Sequence, residues 1–250
     1  MKRRNFIKTM LASGIPFFIP KGYAQLPGSS GDPSLVFSTS QLLPVPIVAG
    51  GNFVRVGFHH HYGASSNDSV TFTPAAGNFL VCFASQSGVT NITISDNSGG
   101  NVWTSRQQVN MAGSSGRLAA FTSPTVLGVS TTVSVTASGG SDFGITVIEY
   151  SGVTGLDNSG SAAGSTSAPS FTTSHTCIFV GGWADETSGP LTSQTLTPGS
   201  IAATTIGTTD NVHLDGQYEW LNGSAGFSAG TYTGTVVGDA NGASALLALF

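Results

Sequence analysis

The chain predicts an all-β fold, an antiparallel sandwich or barrel, on three observations. Short β-branched runs alternate with Gly, Asn, Asp and Ser turns from about residue 51 onward. Glycine is abundant, 34 of 250 residues, and charged residues are only 8 % at a mean hydropathy of +0.17. That balance is too apolar for disorder. No helical period is found after the first two dozen residues, which excludes βαβ units.

Residues 1–24 read as a twin-arginine export signal. Arg3-Arg4-Asn5-Phe6-Ile7-Lys8 supplies the basic motif. Met10 to Ile19 is a short apolar stretch broken by Gly14 and Pro16, too short to span a bilayer. Gly22-Tyr23-Ala24 presents small residues for cleavage after Ala24. The address expected is export to the periplasm, the cell surface or the medium, with no membrane insertion once the signal is cut. Cleavage would leave three arginines (Arg55, Arg106, Arg117) and no lysine against twelve acidic residues, a net charge of −9. Such a surface repels nucleic acid and anionic membranes, so neither is expected as a partner. Loss of every lysine excludes Schiff-base and Ser-Lys chemistry and a lysine isopeptide staple.

Residues 25–50, punctuated by Pro27, Pro33, Pro44 and Pro46, read as an arm or linker, and 51–250 as the β domain. Asn91–Ile94, Thr131–Val135 and Thr233–Val237 are typical of its short runs. Asn78–Ala84 and Thr176–Ala184 are near-continuous apolar runs, each leading to a Ser-Gly pair, and suggest central strands and a pseudo-duplication. The final run, Ala245–Phe250, is apolar on both faces and belongs inside a sheet rather than at an edge. Cys82 and Cys177 sit in the two central runs. A disulfide and two buried thiols are both open, because export permits the bond while folding before export disfavours it.

Candidate chemistry gathers in a few places. Over Val212–Trp220, His213, Asp215, Gln217 and Glu219 alternate with Val212, Leu214, Tyr218 and Trp220. The first set forms a polar row that could bind sugar hydroxyls or a cation, or could be a solvated strand face. Arg106, Gln108 and Trp183 are its expected neighbours. Trp183 precedes Asp185-Glu186 and is expected to be an exposed stacking ring, whereas Tyr218 and Trp220 are expected in the core.

His59 and His61 lie two residues apart, on one face with Arg55, a geometry that could hold a divalent metal if a third ligand came from elsewhere; a surface turn is the alternative. Glu149 shares a face with Phe143, Ile145 and Val147 and needs an arginine or backbone amides as partner. Its catalytic alternative pairs it with Glu186 or Glu219. Asp239-Ala240-Asn241-Gly242 and Asp96-Asn97-Ser98-Gly99 read as turns. Nucleophile-elbow, zinc-protease, phosphate-loop and dinucleotide motifs are absent.

Asp96-Asn97-Ser98-Gly99-Gly100-Asn101-Val102-Trp103-Thr104, then Glu149-Tyr150-Ser151-Gly152-Val153, followed by Cys177-Ile178-Phe179-Val180-Gly181, resemble a pattern of uncharacterised secreted bacterial β-sandwich proteins, D-x-x-G-N-x-W-T and E-Y-S-G, with an extra Gly100 here. The resemblance runs from about Ser69 to the C-terminus. It implies a jelly-roll-like sandwich beside carbohydrate-active or adhesive modules, and no catalytic residues. The function expected is non-catalytic binding of a glycan or cell-surface partner. The alternatives are a metal- or carboxylate-dependent polysaccharide enzyme using His59, His61, His213 and Glu219, and an appendage subunit that oligomerises through residues 25–50.

Overall fold

The protein is described from a computed structural model over residues 52–63, 67–88, 90–97, 101–123, 133–185, 191–208 and 216–250. The expected signal and arm, 1–24 and 25–50, lie outside the described residues. The rest is antiparallel β-structure without a helix among the described residues. The strands are β1 (Val54–Gly63), β2 (Asn67–Phe72), β3 (Phe79–Ser87), β4 (Thr93–Asp96), β5 (Thr104–Asn110) and β6 (Gly116–Ser123). They continue as β7 (Val133–Ser138), β8 (Ser141–Ser151), β9 (Leu156–Ala163), β10 (Thr166–Ser167), β11 (Ser170–Thr173) and β12 (Ile178–Ala184). The last six are β13 (Ser193–Thr197), β14 (Ile201–Ala202), β15 (Thr204–Thr208), β16 (Gly216–Trp220), β17 (Gly230–Val237) and β18 (Ala243–Leu249).

Four sheets result. One central sheet runs β1-β8-β3-β6-β5 and is backed by an outer sheet β2-β7-β4. The other central sheet runs β9-β18-β12-β16-β15 and is backed by β10-β17-β13-β14, with β11 also on β17. These are two copies of one topology. Counted within its own half, each central sheet follows the order 1-8-3-6-5 and each outer sheet 2-7-4. In the second copy β10 and β11 share the place of β2, and β13 and β14 that of β4. This winding is a jelly roll, so the fold is two jelly rolls in tandem. The apolar runs that suggested a pseudo-duplication, 78–84 and 176–184, occupy the equivalent central strands β3 and β12.

The layer order follows from which residues bury together. Phe79, Val81, Phe83, Leu118, Ile148 and Tyr150 of the first central sheet pack with Ile178, Val180, Ala245, Leu247 and Leu249 of the second. The opposite face of the first central sheet, with Leu80, Cys82, Phe121, Phe143 and Val147, packs on Val70, Phe72 and Ala137 of its outer sheet. Phe179, Trp183, Tyr218, Trp220 and Leu246 likewise face Phe171, Leu196, Tyr232 and Val236. Both central sheets are therefore covered on two sides, which is why their strands read as unbroken apolar runs. β18, between β12 and β9, holds the interior place expected of the final run. At the centre Phe83 lies over Gly182, while Phe58 of β1 lies on Gly207 of β15 and Gln107 of β5 donates to Ser159 of β9. The halves thus face each other with their edges exchanged, as across a two-fold axis.

Cys82 and Cys177 are free and lie in the two outermost cores, with both central sheets between them. Geometry excludes a bond between them. Burial pushes the Cys82 thiol well up, and burial followed by the nearby Asp157 pushes Cys177 up to about 12. Thiol titration should find no reactive cysteine in the native chain and both in denaturant, with no shift of Tm on adding reductant. A reductant-sensitive Tm would contradict the placement.

Candidate functional site

The described part of the polar row, Gln217 and Glu219, does not face solvent. Strand β16 lies within the second central sheet, so its two faces point into two cores. Tyr218 and Trp220 enter the outer core as expected, but Gln217 and Glu219, both buried, point toward the first central sheet. Glu219 Oε1 accepts from Arg55 Nε at 3.1 Å, and its Oε2 accepts from the Tyr150 hydroxyl at 2.8 Å. Burial, then Glu219, raises the Tyr150 phenol well above its ordinary value and keeps it a donor. Both ends of the Gln217 amide are buried without a hydrogen-bond partner among the described residues. Glu219 is thus a structural tie between the halves. His213 and Asp215 lie outside the described residues.

The other expected members do not converge on that row. Trp183, on β12, is fully buried toward the outer sheet, against Gly238 and Gly242. It is on the opposite face of its sheet from Gln217 and Glu219 and cannot stack on a sugar. Arg106 and Gln108 lie on β5, over β9, at the far edge from β16. Arg106 Nε donates to Thr122 Oγ1 at 2.8 Å, and burial lowers the guanidinium pKa. Gln108 accepts from the Ile92 amide at 3.1 Å and donates to the Ile92 carbonyl at 2.7 Å, fastening the chain before β4. Trp103 is half-buried, its indole N–H held by Asp96 at 2.7 Å.

Along β1 the expected face is split. The register on β8 shifts between Arg55 and Gly57, a β-bulge. Arg55 stands opposite Tyr150 and turns to the centre, while Gly57, His59 and His61 stand opposite Glu149, Val147 and Ile145 and turn to the outer sheet. His59 and His61 do share a face, but each ring is engaged. His59 stacks on Phe72 with centroids 4.4 Å apart, and His61 Nδ1 meets Asp68 Oδ1 at 2.5 Å. Burial lowers the His59 pKa, with Glu149 opposing, so this ring is neutral at pH 7. Among the described residues no group of three or more His, Cys, Asp and Glu side chains could hold a metal ion.

Glu149 is buried and satisfied as its position demanded: Oε1 accepts from the Ala75 amide at 2.7 Å and from Asn78 Nδ2 at 2.5 Å. It faces the outer sheet and Glu219 the centre, so the first central sheet separates the two carboxylates and they form no acid–base pair. Glu186 lies outside the described residues. Asp239 makes the expected turn, its Oδ1 accepting from the Asn241 amide at 3.1 Å.

One acid cluster was missed in the sequence. Asp157 at the start of β9 accepts from the Ser174 amide at 2.6 Å, the Ser174 hydroxyl at 2.7 Å, the His175 amide at 3.1 Å and His175 Nδ1 at 3.0 Å. The His175 ring stacks on the terminal Phe250. Burial alone would raise the Asp157 carboxyl; the hydrogen bonds from Ser174 and His175 outweigh it and hold it well below the usual carboxylate range. A depressed folded pKa contributes stability that is complete above the unfolded value, about 4, and is lost as pH falls through the folded one. Asp157→Asn should therefore flatten the loss of urea midpoint between about pH 5 and pH 2; parallel curves would refute the assignment. Ser174 and Asp157 both address the same imidazole nitrogen, so the cluster is not a nucleophile–base–acid relay.

Among the described residues, the outer face of each outer sheet is open to solvent. On the first, Asn67, Ser138 and Thr93 stand side by side in register, followed by Ser69, Thr136 and Ser95. On the second, Ser170, Thr233 and Thr197 form one row, with Thr172–Thr231 and Thr235–Thr195 on either side. Rows repeat about 6.8 Å along the strands and about 4.8 Å across them. The hydroxyls pair laterally, Thr172 with Thr231 at 2.9 Å, Thr233 with Ser170 at 2.9 Å and Thr93 with Ser138 at 2.9 Å. Each hydroxyl has one donor and two acceptor sites, so a lateral bond leaves capacity directed outward. Charged side chains are absent from the outward positions of these strands among the described residues; Asp68 and Asp96 point inward. The sequence signal was the hydroxyl alternation itself, as in Thr231-x-Thr233-x-Thr235 and Thr195-x-Thr197. Compared with known protein families, curated proteins and solved structures, the chain matches none.

Proposed function

We propose that this is an exported, non-catalytic β-sandwich protein that binds carbohydrate at the cell surface or beyond, in keeping with its twin-arginine motif and its resemblance to secreted sandwich proteins. The observation that carries the reading is the pair of uncharged, registered hydroxyl faces. A sugar chain presents hydroxyls along its length, and Ser, Thr and Asn side chains can donate to or accept from them. Glu219 and Trp183, expected in the site, are buried in the interior, so recognition rests on hydroxyls and threonine methyls rather than on a stacked tryptophan. Absence of charge selects neutral glycans over anionic ones, since burying uncompensated charges against this face is unfavourable.

Retention of the full chain on insoluble neutral polysaccharides, with soluble sugars assayed in the same tubes, tests the reading. Retention should survive about 1 M salt, where the Debye length is about 3 Å, and no sugar should be released. Salt-labile retention, release of products or no retention on any neutral polysaccharide would each count against it.

A further inference from the structure

The duplicated architecture adds a property that one jelly roll would lack. The two hydroxyl faces belong to equivalent sheets of the two halves and lie on opposite outer sides of the four-layer stack. Three sheet-to-sheet spacings of about 10 Å put them about 30 Å apart. Pointing in opposite directions, they cannot both lie on one straight glycan chain. Each carries rows from adjacent strands in register: Asn67–Ser138–Thr93 and Ser69–Thr136–Ser95 on one side, Ser170–Thr233–Thr197 and its flanking pairs on the other. Neither face bears a charged side chain among its described outward positions.

We propose that the protein is a bivalent cross-linker, holding one neutral polysaccharide chain on the β2-β7-β4 face and a second on the β11-β17-β13 face. This rests on the carbohydrate reading and extends it from binding to bridging. Rigidity of the doubly packed centre fixes the span, so engagement of two chains raises retention by effective concentration whenever chains lie at that separation.

The test uses the full chain with a soluble neutral polysaccharide from the class that retains it, followed by light scattering, with binding capacity measured on the insoluble form. Scattering should rise to a maximum at an intermediate protein-to-glycan ratio and fall in protein excess, as bivalent bridging requires. Thr231→Val with Thr233→Val removes hydroxyls from one face while keeping strand preference, and Ser69→Val with Thr136→Val does so on the other. Either pair should abolish the scattering rise and leave about half the binding capacity, with native thermal unfolding as the control for folding. All four together should abolish retention. Should a pair fail to fold, Thr231→Ala with Thr233→Ala, or Ser69→Ala with Thr136→Ala, replaces it. Retention without scattering, or loss of all binding from one face's substitution, would overturn bridging while leaving the carbohydrate reading intact. Absence of any retention would overturn both.

Discussion

Arg55→Ala should destabilise the fold by about 3 kcal/mol, more than the removal of its partner. The asymmetry follows from exposure. In the Arg55–Glu219 pair the arginine side chain is 30 % exposed and the glutamate 2 %. Breaking a buried pair costs about 3–5 kcal/mol because the surviving charge stays buried; the access of Arg55 to water places this pair at the low end. Removal of the arginine leaves Glu219 with the Tyr150 hydroxyl as its described partner. Glu219→Gln instead frees a guanidinium that can turn outward, and the amide oxygen still accepts from Tyr150, so the cost should be about 1–2 kcal/mol. The double variant should be less destabilised than the two single effects added, as for groups in direct contact. Urea denaturation of the four proteins measures this. Glu219→Gln costing as much as Arg55→Ala, or strict additivity, would show that the pair does not hold the halves as described.

How far the sequence reaches is clearest on β16. Alternation correctly separated Gln217 and Glu219 from Tyr218 and Trp220, but period two carries no sign: it says that two faces differ, not which is wet. Solvation of one face holds for a sheet covered on one side, and this sheet is covered on both. The four-layer stacking that decides the matter is a long-range fact absent from any local window. A second failure is smaller in scale. One bulged residue at Val56 reverses the parity of β1, sending Arg55 to the centre and His59 and His61 outward. Trp183 precedes an acidic pair, a composition that reads as loop, yet it fills space left by Gly238 and Gly242. Readings that depended on the residue itself fared better. The continuous runs became β3, β12 and β18, and Glu149 found the backbone amide its burial required. The registered hydroxyl faces are visible only as isolated alternations, because registry between β11, β17 and β13 joins segments about 40 to 60 residues apart.

Gly182→Ala is the sharpest test that the two jelly rolls form one folding unit. A β-carbon at Gly182 would stand 2.6 Å from Cδ1 of Phe83, and both residues lie mid-strand with no freedom to withdraw. Phe83 is fully buried among residues of both central sheets. Such overpacking costs about 1–3 kcal/mol, and the central position puts it at the upper end. Phe83→Ala alone should cost about 3–5 kcal/mol by opening a cavity. Combined, the new methyl occupies part of the space the ring vacates, so the double variant should be more stable than the sum of the single effects predicts. An additive result would mean that β3 and β12 do not pack face to face. Probes in the two halves should also shift together in Gly182→Ala, because the strained contact belongs to both. If the second half's Trp220 fluorescence followed a separate transition from the strand signal of the first, the duplication would be two domains joined in sequence. A single transition moved as a whole would instead mean that the first and second jelly rolls complete each other's core.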